Sequence, residues 1–270
     1  MSETLLDTIL APGGLRMTLQ PIFDMSDGRQ RVFAVECLAR GPAGTNLERA
    51  DILFDYVRRK KEEATVDRAC VMAGLVAARS IPESVRINVN VHASTLGRDA
   101  AFAEFVADAA EACGIAPERV VVEIVEHSPY WDGSTFRRTL EAIRAAGMAV
   151  ALDDVGTGFS NYGMMIDCHP QFLKIDRYIV SGCDGDPYRH AVLESIQQLT
   201  RRTGARIIAE GIERAEELAV LLGVGMSLMQ GYLLSRNRTS EDLASSGIFE
   251  PRPHLWRPAP GAGPVESWAS

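Results

Sequence analysis

The sequence predicts an α/β protein: a closed (β/α)8, TIM-like barrel whose first strand, from an N-terminal β-hairpin, runs antiparallel. Three observations carry that expectation. Apolar strand-like segments alternate with amphipathic helix-like ones, and strand–helix repetition implies a parallel sheet covered on both faces. Eight such strands fall within about 250 residues, the size of a closed barrel of this kind. The strands also end on polar side chains, and such barrels assemble their sites at the carboxyl ends of their strands.

The elements follow in order. "RMTLQPIFD" and "RVFAVECLAR" flank "MSDGRQ", where Asp27-Gly28 is a hairpin signal, so the first two strands are antiparallel neighbours. Then come "RINVNV", "RVVVEIV", "MAVALDDV", "QFLKID", "ARIIAEGI" and "SLMQGYLL". Between them, "AFAEFVADAAEAC", "FRRTLEAIRAA" and "YRHAVLESIQQLTRRT" read as helices closed by Gly114, Gly147 and Gly204. "YVRRKKEE" reads as a solvated helix face with no chemistry assigned. A doubly wound open sheet is the competing arrangement, and no internal repeat is present. The barrel is expected over residues 1–248. The tail 249–270, with five of the thirteen prolines, reads as a linker or disordered end.

Composition narrows the function classes. The chain is 46% hydrophobic and 24% charged, ordinary for a globular protein, and long enough for a large core. A net charge of -8 argues against a general nucleic-acid coat, so no DNA partner is expected. Five cysteines without CxxC spacing read as reduced thiols. "MSETLLDTIL" lacks the features of a signal peptide, and no apolar run approaches a bilayer span. A cytoplasmic protein is expected.

The strand ends carry the chemistry. In chain order they offer Glu36, Asn88 and Asn90, Glu123 with Glu126, Asp153 and Asp154, Lys174 with Asp176, Glu210 with Glu213, and Gln230. Singly, each could be a solvated strand end, Asn90 a turn amide, and Lys174 an ion-pair partner of Asp176 or Glu126. Converging at a barrel mouth, unpaired carboxylates would be costly. Adjacent aspartates raise each other's pKa unless a positive charge lies between them. Oxygen donors without a His/Cys cluster select Mg2+ or Mn2+ over zinc. Five carboxylates and one lysine are balanced by two divalent ions, the device used for in-line displacement at phosphorus. Glycines after Asp154 are expected to turn the loop so that both aspartates reach the mouth.

In chain order, these segments resemble the EAL domain, a family of bacterial cyclic di-GMP phosphodiesterases. The name-giving triplet reads Glu36-Cys37-Leu38 here. "LQPI", "VNVHASTL", "EIVE", "DDVGTGFSN", "LKIDR", "AEGIE" and "QGYLL" follow the family's order from about residue 16 to 235. The resemblance implies hydrolysis of cyclic di-GMP to linear pGpG, with metal-activated water attacking phosphorus and the 3′ oxygen leaving. It implies Glu36, Asn90, Glu123 and Asp153 as ligands of one ion, and Asp153, Asp154 and Glu210 as ligands of a second. Lys174 would hold the attacking water and Gln230 support the site. Gln20 and Arg40 would contact the nucleotide, Arg40 at phosphate, with Asp176 on the substrate side. Glu126 would steady the loop after the aspartates, with Glu213 in support. Ca2+ is expected to inhibit, because its larger, looser coordination shell misplaces the attacking water. The resemblance also implies a homodimer through the loop after Asp154 and the adjacent helix.

Cys37 departs from the family's alanine, His92 from serine, Val155 from phenylalanine, Asn161 from serine and Asn237 from proline; none removes an expected ligand. Residues 41–63 are shorter and more basic than the family pattern. A non-catalytic cyclic di-GMP receptor is the second reading; such receptors would lose ligands or the lysine. A metal-dependent sugar-phosphate or aldol enzyme would share the barrel without the ordered motifs. No cyclase-like or sensor segment is expected in the 270 residues.

Overall fold

The computed structural model describes residues 4–125, 133–156 and 162–253. Strands β1 (Arg16–Asp24), β2 (Arg29–Arg40), β3 (Arg86–His92), β4 (Val120–Val125), β5 (Ala149–Val155), β6 (Phe172–Ile175), β7 (Arg206–Ala209) and β8 (Leu228–Met229) form one sheet. The sheet closes because β1 pairs antiparallel with both β2 and β8, while β2 through β8 run parallel. Gly28, at φ +75°, turns the opening hairpin in the left-handed conformation that glycine adopts without strain. A two-residue strand, β9 (Arg252–Pro253), pairs with Arg29 and Gln30 at the start of β2.

The larger helices clothe the barrel: α1 (Leu5–Leu10), α2 (Ala50–Lys60), α3 (Glu63–Ala77), α4 (Ala93–Leu96), α5 (Phe102–Ala112) and α6 (Gly133–Ala145). They are followed by α7 (Tyr162–Cys168), α8 (Arg177–Val180), α9 (Pro187–Thr203), α10 (Ala215–Val224) and α11 (Ser240–Ser245). Helix α9 starts on an Asp186 cap, with Pro187 in its first turn, and ends at Gly204 with φ +79°.

Strand alternation divides the core in two. Outward residues such as Val35, Val89, Val122, Val150, Leu173, Ile207 and Met229 pack beneath the helices. Inward residues Ile22, Ala34, Val121, Ala149, Ala151, Phe172, Ile208 and Leu228 form a separate apolar cluster inside the barrel. At the amino end of the parallel strands this plug is finished by Phe33, 5.6 Å from Phe172, and by Arg206, 4.8 Å over Phe33. Arg206 is in turn held by Asp24 at 2.7 Å. Phe172→Ala is expected to lower stability by about 3–5 kcal/mol, the usual loss for a buried phenylalanine. The shift in urea midpoint tests it; an unchanged midpoint would mean that the plug does not hold the barrel closed.

Two strands are shorter than the sequence predicts: β7 stops at Ala209 and β8 at Met229. "GYLL" turns instead, because Gly231 lies against Ile212, where an added Cβ would sit 2.2 Å from the carbonyl oxygen. Leu233 and Ser235 then donate backbone hydrogen bonds to Ile212 and Gly231.

Candidate active site

Two residues beyond each apolar plug residue, along most strands, lies a polar one. Ala34 leads to Glu36, Val121 to Glu123, Ala151 to Asp153, Phe172 to Lys174, Ile208 to Glu210 and Leu228 to Gln230; β1 runs the other way, from Ile22 to Gln20. The same period of two that builds the plug therefore raises a polar rim over it, at the carboxyl ends of the parallel strands.

Adjacent residues on one strand normally face opposite sides, yet Asp153, Asp154 and Glu210 each place a carboxylate oxygen within 4.8 Å of the others. The backbone explains this. The β5–β6 pairing slips between Leu152 and Val155, and Asp154 itself takes the left-handed conformation at φ +52°. To the expected glycine turn the structure adds one at Asp154 itself. Gly156 contributes at φ +94°, tight against Ile179, while Gly158 lies outside the described residues.

A second trio, Glu36, Glu123 and Glu210, lies equally close and shares Glu210 with the first. At their centre is the buried ammonium of Lys174. Its Nζ is 2.6 Å from Glu210, 3.3 Å from Glu36 and 3.5 Å from Asp153, and it also pairs with Glu123. Its partners are therefore the rim carboxylates rather than Asp176. Gln230 donates to Glu36 at 2.7 Å and to Gln20 at 3.1 Å, and Asn90 donates to Glu36 at 3.0 Å.

The electrostatics match the geometry. Burial raises the pKa of Glu123, with Glu36 adding to it; burial likewise raises Asp153 and Glu210. Asp154 is pushed up to about 6 by burial and by the charges of Asp153 and Asp176. Burial opposes the charge of Glu36 too, but Lys174 and the amides of Gln230 and Asn90 outweigh it and hold its pKa down. Burial disfavours the Lys174 ammonium, yet the surrounding carboxylates keep it protonated. Counted as ionised, the five rim carboxylates and one ammonium carry a formal charge of -4; the raised pKa values are the cost of that crowding, and further cations would relieve it. The oxygen donors, the overlapping trios and this charge fit two hard divalent ions.

The remaining expected residues lie around this rim. Arg40 lines a cavity on its β2–β3 side. Asp176 and Glu213 line a pocket on the other side, where Asp176 also caps α8 by accepting from the Tyr178 amide at 2.8 Å, and Glu213 pairs with Arg177 at 2.8 Å. Glu126 lies outside the described residues. Sequence reasoning placed Asn88 at a strand end but gave it no role; it donates to Glu123 at 3.2 Å, and its parity with Asn90 was the available signal. It missed Asp67, which sits on α3 and accepts from the backbone amide of His92 at 2.9 Å and from Thr95 at 2.6 Å. The Asp67 carboxylate also pairs with His92 Nδ1 at 2.8 Å. No strand-end pattern points to a helix residue of this kind.

Comparison with known proteins agrees with this architecture. Over 175 residues the chain is 27% identical to the probable cyclic di-GMP phosphodiesterase PdeG of Escherichia coli strain K12, covering 65% of this chain and 34% of that protein. Over 166 residues it is 31% identical to a cyclic di-GMP phosphodiesterase of Pseudomonas aeruginosa, covering 62% of this chain and 28% of the relative. The chain thus spans about a third or less of the length of these relatives. Among solved structures, the manganese/cy-diGMP complex of Klebsiella pneumoniae BlrP1 at pH 9.0 superposes with a TM-score of 0.75 at 26% identity, covering 85% of this chain and 57% of that one. The model of the EAL domain matches residues 2–237, and the chain belongs to the EAL domain family.

Proposed function

We propose that this chain is a divalent-metal-dependent phosphodiesterase that hydrolyses cyclic di-GMP to linear pGpG. The observation that carries the reading is the convergence of Glu36, Glu123, Asp153, Asp154, Glu210 and Lys174 at one barrel rim. Relatives named for the same activity support the substrate.

In this reading Glu36, Asn90, Glu123 and Asp153 hold one ion, and Asp153, Asp154 and Glu210 the other. Bound Mg2+ or Mn2+ would lower the pKa of water and offset charge on the phosphoryl oxygens. Lys174, kept protonated by its neighbours, donates hydrogen bonds to the attacking water and does not take its proton. Gln230 fixes the Glu36 carboxylate through one amide hydrogen, while Gln20 anchors the other. Arg40 supplies a fork of donors for phosphate, Asp176 lies on the substrate side, and Glu126 and Glu213 steady the surrounding loops. A homodimer would form through the loop after Asp154 and α7, whose Tyr162 and Ile166 are exposed. No helix among the described residues is long and apolar enough to cross a membrane.

The test is product chromatography with three metals. Mg2+ and Mn2+ are expected to yield pGpG, and Ca2+ to suppress it, since its looser coordination shell misplaces the reacting groups. Equal turnover with Ca2+ would count against the two-ion arrangement. Ligand binding without linear product in Mn2+ would establish the receptor reading instead, which the complete ligand set argues against.

A further inference from the structure

Two cavities flank the rim and share Glu36 and Asp153. The one on the side of Lys174, about 320 Å3, holds Asp176, Arg177, Glu213 and Tyr232. The other, about 340 Å3, is different in kind: apolar side chains of β2 and β3 line its base, and α2 forms a wall.

That wall presents Phe54 and Arg58, four residues apart and so on one helix face. Phe54 lies 5.5 Å from the His92 ring at 59°, forming an aromatic corner, and Asp67 holds His92 through its backbone amide and Nδ1. The Arg58 side chain is 27% exposed, and its one ion pair among the described residues, to Asp55, is 3.8 Å long. Its neighbour Arg59 is 78% exposed and takes the same Asp55 at 2.8 Å. On its side of the cavity, Asp51 is paired with Arg49 at 2.7 Å, and Asp67 with His92 and Thr95. The stretch expected to be a solvated face thus turns one guanidinium inward, beside a flat aromatic surface and next to the rim.

We propose that this cavity seats one guanine of the substrate, its ring against Phe54 and its O6 and N7 accepting from the fork of Arg58. The proposal rests on the cyclic di-GMP reading and adds the residue that selects the base. A guanidinium only donates, and guanine O6 and N7 only accept, so the pairing is bidentate. Adenine carries an amino donor where guanine has O6, which would set donor against donor in a half-buried site.

The experiment measures turnover of cyclic di-GMP with Mn2+ and calorimetric binding of cyclic di-GMP and cyclic di-AMP for each variant. Arg58→Ala is expected to raise KM and Kd for cyclic di-GMP by about 10–100-fold, the worth of one bidentate base contact. The preference over cyclic di-AMP should fall with it. Arg58→Lys, which keeps the charge and loses the fork, should lose the same preference with an unchanged melting temperature. Arg59→Ala should match wild type. An Arg58→Ala protein with wild-type preference overturns the proposal, as does an equal loss in Arg59→Ala. A wild-type protein that prefers cyclic di-GMP through Arg58 but makes no pGpG would sink the enzyme reading and leave this one standing; one that binds neither nucleotide sinks both.

Discussion

Asp153→Ala is expected to lower turnover of cyclic di-GMP by about a thousand-fold while leaving the metal-free protein at least as stable as wild type. The first half follows from position. Asp153 belongs to both proposed ion sites, and losing charge stabilisation of several kcal/mol costs about a factor of ten per 1.4 kcal/mol. The second half follows from sign. Burial raises the Asp153 pKa on folding. A carboxylate whose pKa rises on folding opposes the folded state once the pH exceeds its unfolded value, so at pH 7 its removal relieves the fold. Lys174 keeps three other partners in the variant. Thermal melts with and without Mn2+ check both halves: wild type should gain stability from the ion by mass action, and Asp153→Ala much less. A variant that melts well below wild type in EDTA, or retains turnover, would sink this account.

Lys174→Met should have the opposite effect on stability. Removing the ammonium leaves Glu36, Glu123, Asp153 and Glu210 facing one another without a cation. Breaking a buried network from one side typically costs 3–5 kcal/mol, so the metal-free variant should melt about 10 °C lower at pH 7. Because the loss comes from ionised carboxylates, it should shrink as the pH falls and they protonate. Mn2+ should restore much of the stability and little of the turnover, since no ammonium remains to hold the attacking water. A metal-free Lys174→Met protein melting with wild type would mean that the carboxylates do not depend on the lysine.

The two variants separate what the sequence carried from what it did not. Strand–helix alternation and the Asp27-Gly28 turn predict the barrel and its antiparallel strand because both are local. Most rim residues are legible because they follow an apolar inward residue by two. Asp154 breaks that parity, and the left-handed backbone that lets it do so has no signature in an aspartate. Gln230 was expected as support, but its bond to Glu36 depends on where β8 stops, set by contact between Gly231 and Ile212. Arg58 is a sharper case: in "YVRRKKEE" nothing local distinguishes it from Arg59, and only the placement of α2 against β2 and β3 turns one inward.

The greasy stopper of Phe172, Ile208, Leu228 and their neighbours gives the barrel a one-sided electric character. Below the ring of acids lie buried apolar side chains, which screen charge far less than solvent does, so the field spreads outward through the open end. Counter-ions are drawn in from that direction alone and meet an insulating backstop when they arrive. A hydrophilic side chain in place of Ile208 would breach that backstop, and the pull on every cation above it would weaken without any of the acids having been touched.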